Sequence, residues 1–145
     1  MGRSALVLVA LVACSGSHHH GPAAHPDDAS RLYVEITAGG SHRRALHDGA
    51  AEGLSAVSFA VPAREGGDVE LQVEVSKLDV IGAKTTCNVK ILIFRLPQHD
   101  LLGIADGGAY ASGDGAEDAC LRGVGATLVR GKVRALLKRQ LEAKL

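Results

Sequence analysis

Three segments of alternating hydrophobicity, separated only by tight turns, occupy residues 68–112 and require a sheet built from hairpins. In Asp68 to Ile81, Val69, Leu71, Val73 and Val75 alternate with Glu70, Gln72 and Glu74, so one face is buried and the other wet. After the break at Gly82, Thr85 to Leu96 places Cys87, Val89, Ile91 and Ile93 on one face. Leu92, Phe94 and Leu96 lie on the other. A strand apolar on both faces is central in its sheet, or its outward face meets a partner. Pro97-Gln98-His99-Asp100 is a turn, and Leu101 to Ser112 is the returning strand. Gly103, Ala105, Gly107, Ala109 and Ala111 share one of its faces, and all are small enough for a helix to approach closely.

The flanking segments complete the pattern. Arg31 to Thr37 alternates with β-branched content and closes at Gly39-Gly40, which predicts a strand. Ser41 is placed to cap a short helix running to Leu54, with Ala45, Leu46, Ala50 and Leu54 as its apolar set and Gly49 and Gly53 weakening it. Residues 56–61 predict a further strand stopped by Pro62. Past Gly113-Asp114-Gly115 a long helix is predicted from Ala116 towards Ala143, acidic in its first turn and basic in its last, as the helix dipole favours. Its stripe Leu121, Val124 and Leu128 is rotated from the stripe Val133, Leu137 and Leu141, so a bend or a change of packing partner is expected around Gly131. The fold class is therefore α+β: a two-layer sandwich with a mainly antiparallel sheet of four to five strands, a short helix and a long C-terminal helix. Aromatic residues make up 3% of the chain and Trp is absent, so the core must come from Val, Leu, Ile and Ala.

The N-terminus carries a different kind of signal. Met1-Gly2-Arg3 supplies a positive charge, and Ala5 to Ala13 is an unbroken apolar run. That run is too short for a bilayer span of about 20 residues but suits a signal-peptide core. It ends in Leu11-Val12-Ala13-Cys14, which resembles the lipobox of bacterial lipoproteins. The resemblance implies cleavage before Cys14, diacylglycerol on its thiol and acylation of the new N-terminus; several acyl chains make a stable anchor. Ser15 follows the cysteine in place of the Asp that retains enteric lipoproteins at the inner membrane, so the resemblance favours the outer membrane, facing the periplasm. Residues 1–13 are thus read as signal peptide, residues 14–30 as a lipidated tether and residues 31–145 as one folded domain. That domain, in its hairpin CNVKILIFRLPQHDLLGIADGGAYASG and helix DACLRGVGATLVRGKVRALLKRQL, also resembles the small periplasmic modules of the TolB N-terminal domain and of curli-secretion and penicillin-binding-protein-activator lipoproteins.

Charge and chemistry narrow the function. The whole chain is neutral, but residues 14–120 carry 8 Lys/Arg and 15 Asp/Glu, whereas residues 121–145 carry 7 Lys/Arg and one Glu. The basic tail reads either as a solvated helix face or as a contact for an anionic surface. His18, His19, His20 and His25 form a ligand-rich tether, but no residue is held at metal-site spacing beside them, so no metal site is assigned. No G-x-S-x-G, H-E-x-x-H, P-loop or strand-linked GxGxxG occurs. Asp106 reads as a functional carboxylate or as the solvent-facing member of its strand, and His42, His47 and His99 have no nucleophile beside them in sequence.

The expectation is a non-catalytic, membrane-anchored accessory that binds an envelope protein in assembly, transport or wall synthesis, with no cofactor and no nucleic acid. The alternative is a small-ligand or metal-binding lipoprotein using the His-rich tether. Leu92, Phe94 and Leu96 are the candidate protein-binding surface, unless the short helix covers that face as a second layer. In an oxidising compartment Cys87 and Cys120 form a disulfide or remain two buried thiols. The hairpin favours the disulfide: a turn between Gln98 and His99 pairs position 87 near position 110, at the end where the helix begins. If Cys14 is the lipidation site, Cys14→Ser yields an unprocessed or soluble protein that takes up no alkyne fatty acid in labelled cells. Label persisting on the serine variant refutes that assignment.

Overall fold

In the computed structural model, which describes residues 28–145, five strands form one sheet whose single helical layer lies on one face. The elements in chain order are β1 (Leu32–Ala38), α1 (Arg43–Ser55), β2 (Ala60–Ala63), β3 (Val69–Ile81), β4 (Lys84–Arg95), β5 (Asp100–Ser112), α2 (Ala116–Leu128), a π-helical turn (Val129–Val133) and α3 (Arg134–Lys144). The strand order is β2-β1-β3-β4-β5. β3, β4 and β5 pair antiparallel over nearly their whole lengths, whereas β1 pairs parallel with both β2 and β3. The sheet is therefore mixed. Parallel neighbours need a crossover, and α1 supplies it between β1 and β2.

Two departures from the expected elements have local causes. Helix α1 begins after His42, which makes no side-chain cap, so Ser41 does not cap it. β2 starts at Ala60 rather than Ala56, because Val57 N–H bonds Leu54 O and Ala60 N–H bonds Val57 O, which holds 56–59 in turns with Val57 buried. Pro62 then lies inside β2 rather than ending it; as an edge strand, β2 tolerates a residue that cannot donate. Between β2 and β3 the chain crosses β1 in a short loop. That loop is pinned by Asp68 N–H to Tyr33 O, Tyr33 N–H to Asp68 Oδ2 and Gly67 N–H to Glu35 Oε1.

Irregularities keep the apolar set on the helix side. β3 carries a bulge between Val75 and Lys77, so Leu78 sits opposite the buried Cys87. Without the extra residue the alternation would turn Lys77 and Asp79 inward instead. The long C-terminal helix changes period at Gly131: Arg134 N–H bonds Val129 O, five residues back. One wider turn brings Leu128, Val129, Val133 and Leu137 onto one buried face, and this reconciles the two rotated stripes. The resulting core is aliphatic, with Leu46, Leu54, Leu71, Ile91, Ile93, Leu121 and Leu137 fully buried.

The small face of β5 receives the helices. A Cβ on Gly103 would lie 2.9 Å from Leu136 Cδ1, and one on Gly107 3.1 Å from Leu128 Cδ2. A tighter approach occurs between α1 and α2, where a Cβ on Gly49 would meet Arg122 O at 2.5 Å and one on Gly53 would meet Ala126 O at 2.6 Å. Cys87 and Cys120 are bonded, with Cα atoms 6.2 Å apart, within the reach of a bridge. Cys87 pairs with Ala109 rather than position 110: Arg95 pairs with Asp100, so the turn is centred between Pro97 and Gln98, and the bulge between Ile93 and Phe94 recovers only one residue of that offset.

Two stability predictions follow from this packing. Gly53→Ala should destabilise the protein by about 1–3 kcal/mol in urea unfolding, although alanine favours helix by roughly 1 kcal/mol, because the obstructing atoms are the Ala126 backbone and the Cβ of Val129, neither of which can swing away. A stabilised variant would mean that the helices separate freely. Cys87→Ala with Cys120→Ala should cost about 3–4 kcal/mol by loop entropy across the 33-residue separation, read as a lowered urea midpoint under oxidising conditions. A midpoint equal to that of the oxidised parent excludes the bridge as a source of stability.

Candidate protein-docking face

With α1 packed beside α2 on the same side of the sheet, no helix among the described residues covers the opposite face, and the alternative in which the short helix forms a second layer there does not hold. On that face β4 presents Leu92 and Phe94. The registers place Leu92 between Gln72 and Ile104, and Phe94 between Glu70 and Leu101. Leu101 and Ile104 are 53% and 54% exposed, while Leu92 and Phe94 are half-buried. The apolar patch is thus Leu92, Phe94, Leu101 and Ile104, two residues from each strand of the hairpin.

Leu96 does not belong to it. The strand ends at Arg95, Leu96 N–H bonds Asp68 O, and its side chain lines a cleft with Leu32, Val69, Gln140 and Ala143 at the end of α3. Alternation alone would carry Leu96 on with Phe94, but the turn to β5 intervenes first. Conversely, Leu101 and Ile104 lie on the outward face because of the β4–β5 register. A strand read for its small residues gives little sign of them.

One edge of the patch is polar. His99, at φ 62° in the β4–β5 turn, stacks on Phe94 with ring centroids 3.9 Å apart and planes inclined by 10°. Its Nε2 is 3.1 Å from Glu70 Oε2, and Glu70 Oε1 accepts from Thr37 Oγ1 at 2.9 Å. The ring therefore covers part of Phe94 and is held there by the carboxylate. At the other rim, Lys90 pairs with Glu74 at 3.4 Å. β5 is also the sheet's outer strand, so its far edge has no strand partner among the described residues. Lys132 occupies one position on it, donating to Asp106 O at 2.9 Å and lying 3.7 Å from the Asp106 carboxylate. A cation on an open edge discourages indiscriminate strand pairing.

The other candidates sit apart. Asp106 is solvent-facing, with 77% of its side chain exposed. His42 reaches Asp118 at 3.4 Å and Glu117 at 3.9 Å, tying the start of α1 to the start of α2, and His47 lies 3.7 Å from Asp48. Among the described residues no three His, Cys, Asp or Glu side chains gather at metal-binding distance. No helix there is long and apolar enough to cross a membrane. Cys14 and the histidines 18, 19, 20 and 25 lie outside the described residues.

No protein-family model matches the chain, and no curated protein matches it in sequence. Solved structures do share its fold. PelC from Paraburkholderia phytofirmans, crystallised as a dodecamer, has a TM-score of 0.54 at 10% identity over 70% of this chain and 88% of its own. CT253 from Chlamydia trachomatis has a TM-score of 0.55 at 8% identity over 75% of this chain and 99% of its own. Lipoprotein GNA1162 from Neisseria meningitidis gives a TM-score of 0.45 at 12% identity, covering 74% and 99%.

Proposed function

We propose that this protein is a lipid-anchored, non-catalytic accessory of the bacterial envelope that works by protein association through its uncovered sheet face, held at the outer membrane and facing the periplasm. The observation that carries the reading is the patch Leu92, Phe94, Leu101 and Ile104 on a sheet face that no helix among the described residues covers. Contiguous exposed apolar surface of this kind marks interaction sites. The anchor rests on Leu11-Val12-Ala13-Cys14 at the end of the apolar run. The pattern likeness to periplasmic accessory modules supports a binding role.

The occupant we assign to the face is a second copy of the chain. PelC, which has this fold, was crystallised as a dodecamer, and here the patch adjoins the open edge of β5, so one copy can meet another by face and edge together. Phe94→Asp with Ile104→Asp places two charges in that contact. The expected result is a parent protein that is multimeric by light scattering and a variant that is monomeric with an unchanged circular dichroism spectrum. A monomeric parent overturns self-association. A different envelope protein captured by crosslinking on the same residues would then replace the second copy as occupant.

A further inference from the structure

The charge asymmetry of the chain takes a specific shape once folded. Four of the seven cations in residues 121–145 are paired: Arg122 with Asp48 and Arg130 with Glu52 at 3.5 Å, Lys132 with Asp106 at 3.7 Å, and Lys144 with Asp68 at 3.1 Å. These pairs tie the helix to α1 and to the sheet. Arg134, Lys138 and Arg139 form no ion pair among the described residues, not even with Glu142 on their own helix, and all three are exposed. Their i, i+4, i+5 spacing places them on the solvent side of α3, while Leu137 between them is buried. The helical layer therefore carries a cationic outer face, and the uncovered sheet face lies on the opposite side of the molecule.

A second observation says what this face meets. Lys144 Nζ donates to Arg31 O at 3.0 Å, so the chain enters the domain beside the last turn of α3. Just before it, Ser30 donates to the Asp28 carboxylate from both hydroxyl and N–H, which holds that carboxyl below its ordinary pKa and fixes the turn. The segment from Cys14 to residue 27 thus joins the domain at the cationic end. It can span at most about 50 Å at roughly 3.3–3.6 Å per residue. A surface holding Cys14 therefore lies within about 50 Å of the end of α3.

We infer that Arg134, Lys138 and Arg139 seat α3 on the anionic phospholipid headgroups of the membrane that holds the acyl anchor. This orients the domain with its sheet face turned away from the bilayer. The inference rests on the proposed anchoring, and it supplies the second, electrostatic signal that such anchors commonly combine with acyl chains.

The test uses the full chain carrying Cys14→Ser, so that no acyl chain contributes, floated with vesicles of phosphatidylethanolamine and phosphatidylglycerol or of phosphatidylcholine alone. Binding should require phosphatidylglycerol and fall as salt shortens the Debye length from about 10 Å at 0.1 M towards 3 Å at 1 M. Arg134→Gln, Lys138→Gln and Arg139→Gln together should lower partition onto the anionic vesicles by about ten- to a hundred-fold. Arg134→Lys with Arg139→Lys should retain it. Any binding through residues 5–13 persists on phosphatidylcholine and is subtracted. Equal flotation on both vesicle types, or a triple-Gln variant that floats like its parent, overturns the inference. Fatty-acid labelling at Cys14 reports on the anchor separately, so the two readings can fail independently.

Discussion

The backbone of α1 lies directly against the backbone of α2, and the rest of the fold is arranged around that contact. Gly49 and Gly53 leave no side chain between the two helices, so Arg122 and Ala126 come within the distance a Cβ would occupy. At this spacing both helices fit over one sheet. Leu46 and Leu54 from α1 and Leu121 and Val129 from the C-terminal helix then join one aliphatic core with β1, β3 and β4. Ion pairs from Arg122 and Arg130 to Asp48 and Glu52 flank the contact on its exposed side, where such pairs contribute little stability but favour one register.

All three helices share one side, so among the described residues no helix covers the other side of the sheet. The molecule thus has two unlike surfaces. One is helical and cationic, with the chain entering beside it. The other is a sheet face with an apolar patch and a free edge. The disulfide sits between the layers, joining the start of α2 to β4 at Cys87, opposite Ala109. It fixes the helix over the hairpin at the end remote from the β4–β5 turn, where His99 and Glu70 hold the rim of the patch. A rigid patch loses less conformational freedom on binding than a mobile one.

Much of this was legible in the residues. Alternation located β3, β4 and β5 to within a residue or so, the small face of β5 announced a close helix, and two offset stripes pointed to a bend or change of packing partner around Gly131, where the helix in fact changes period. Those signals are local, set by the direction of successive side chains along one element. Where the reading slipped, a distant partner decided the matter. Gly49 and Gly53 looked like costs to a weak helix, and only the presence of α2 turns them into its contact surface. Leu96 belonged by alternation with Phe94 but was taken by the turn and by α3.

The α+β composition, the aliphatic character of the core, the hairpin order of the last three strands and the motif at Cys14 follow from the residues alone, because each depends on neighbours in the chain. Tertiary structure decided the parallel pairing of β1, the side on which α1 packs, and which of the helix cations pair with Asp48, Glu52, Asp106 and Asp68. Those outcomes depend on contacts between residues far apart in sequence. Pairings such as Arg130 with Glu52 or Lys144 with Arg31 exist only once the layers have docked, and no local period encodes them.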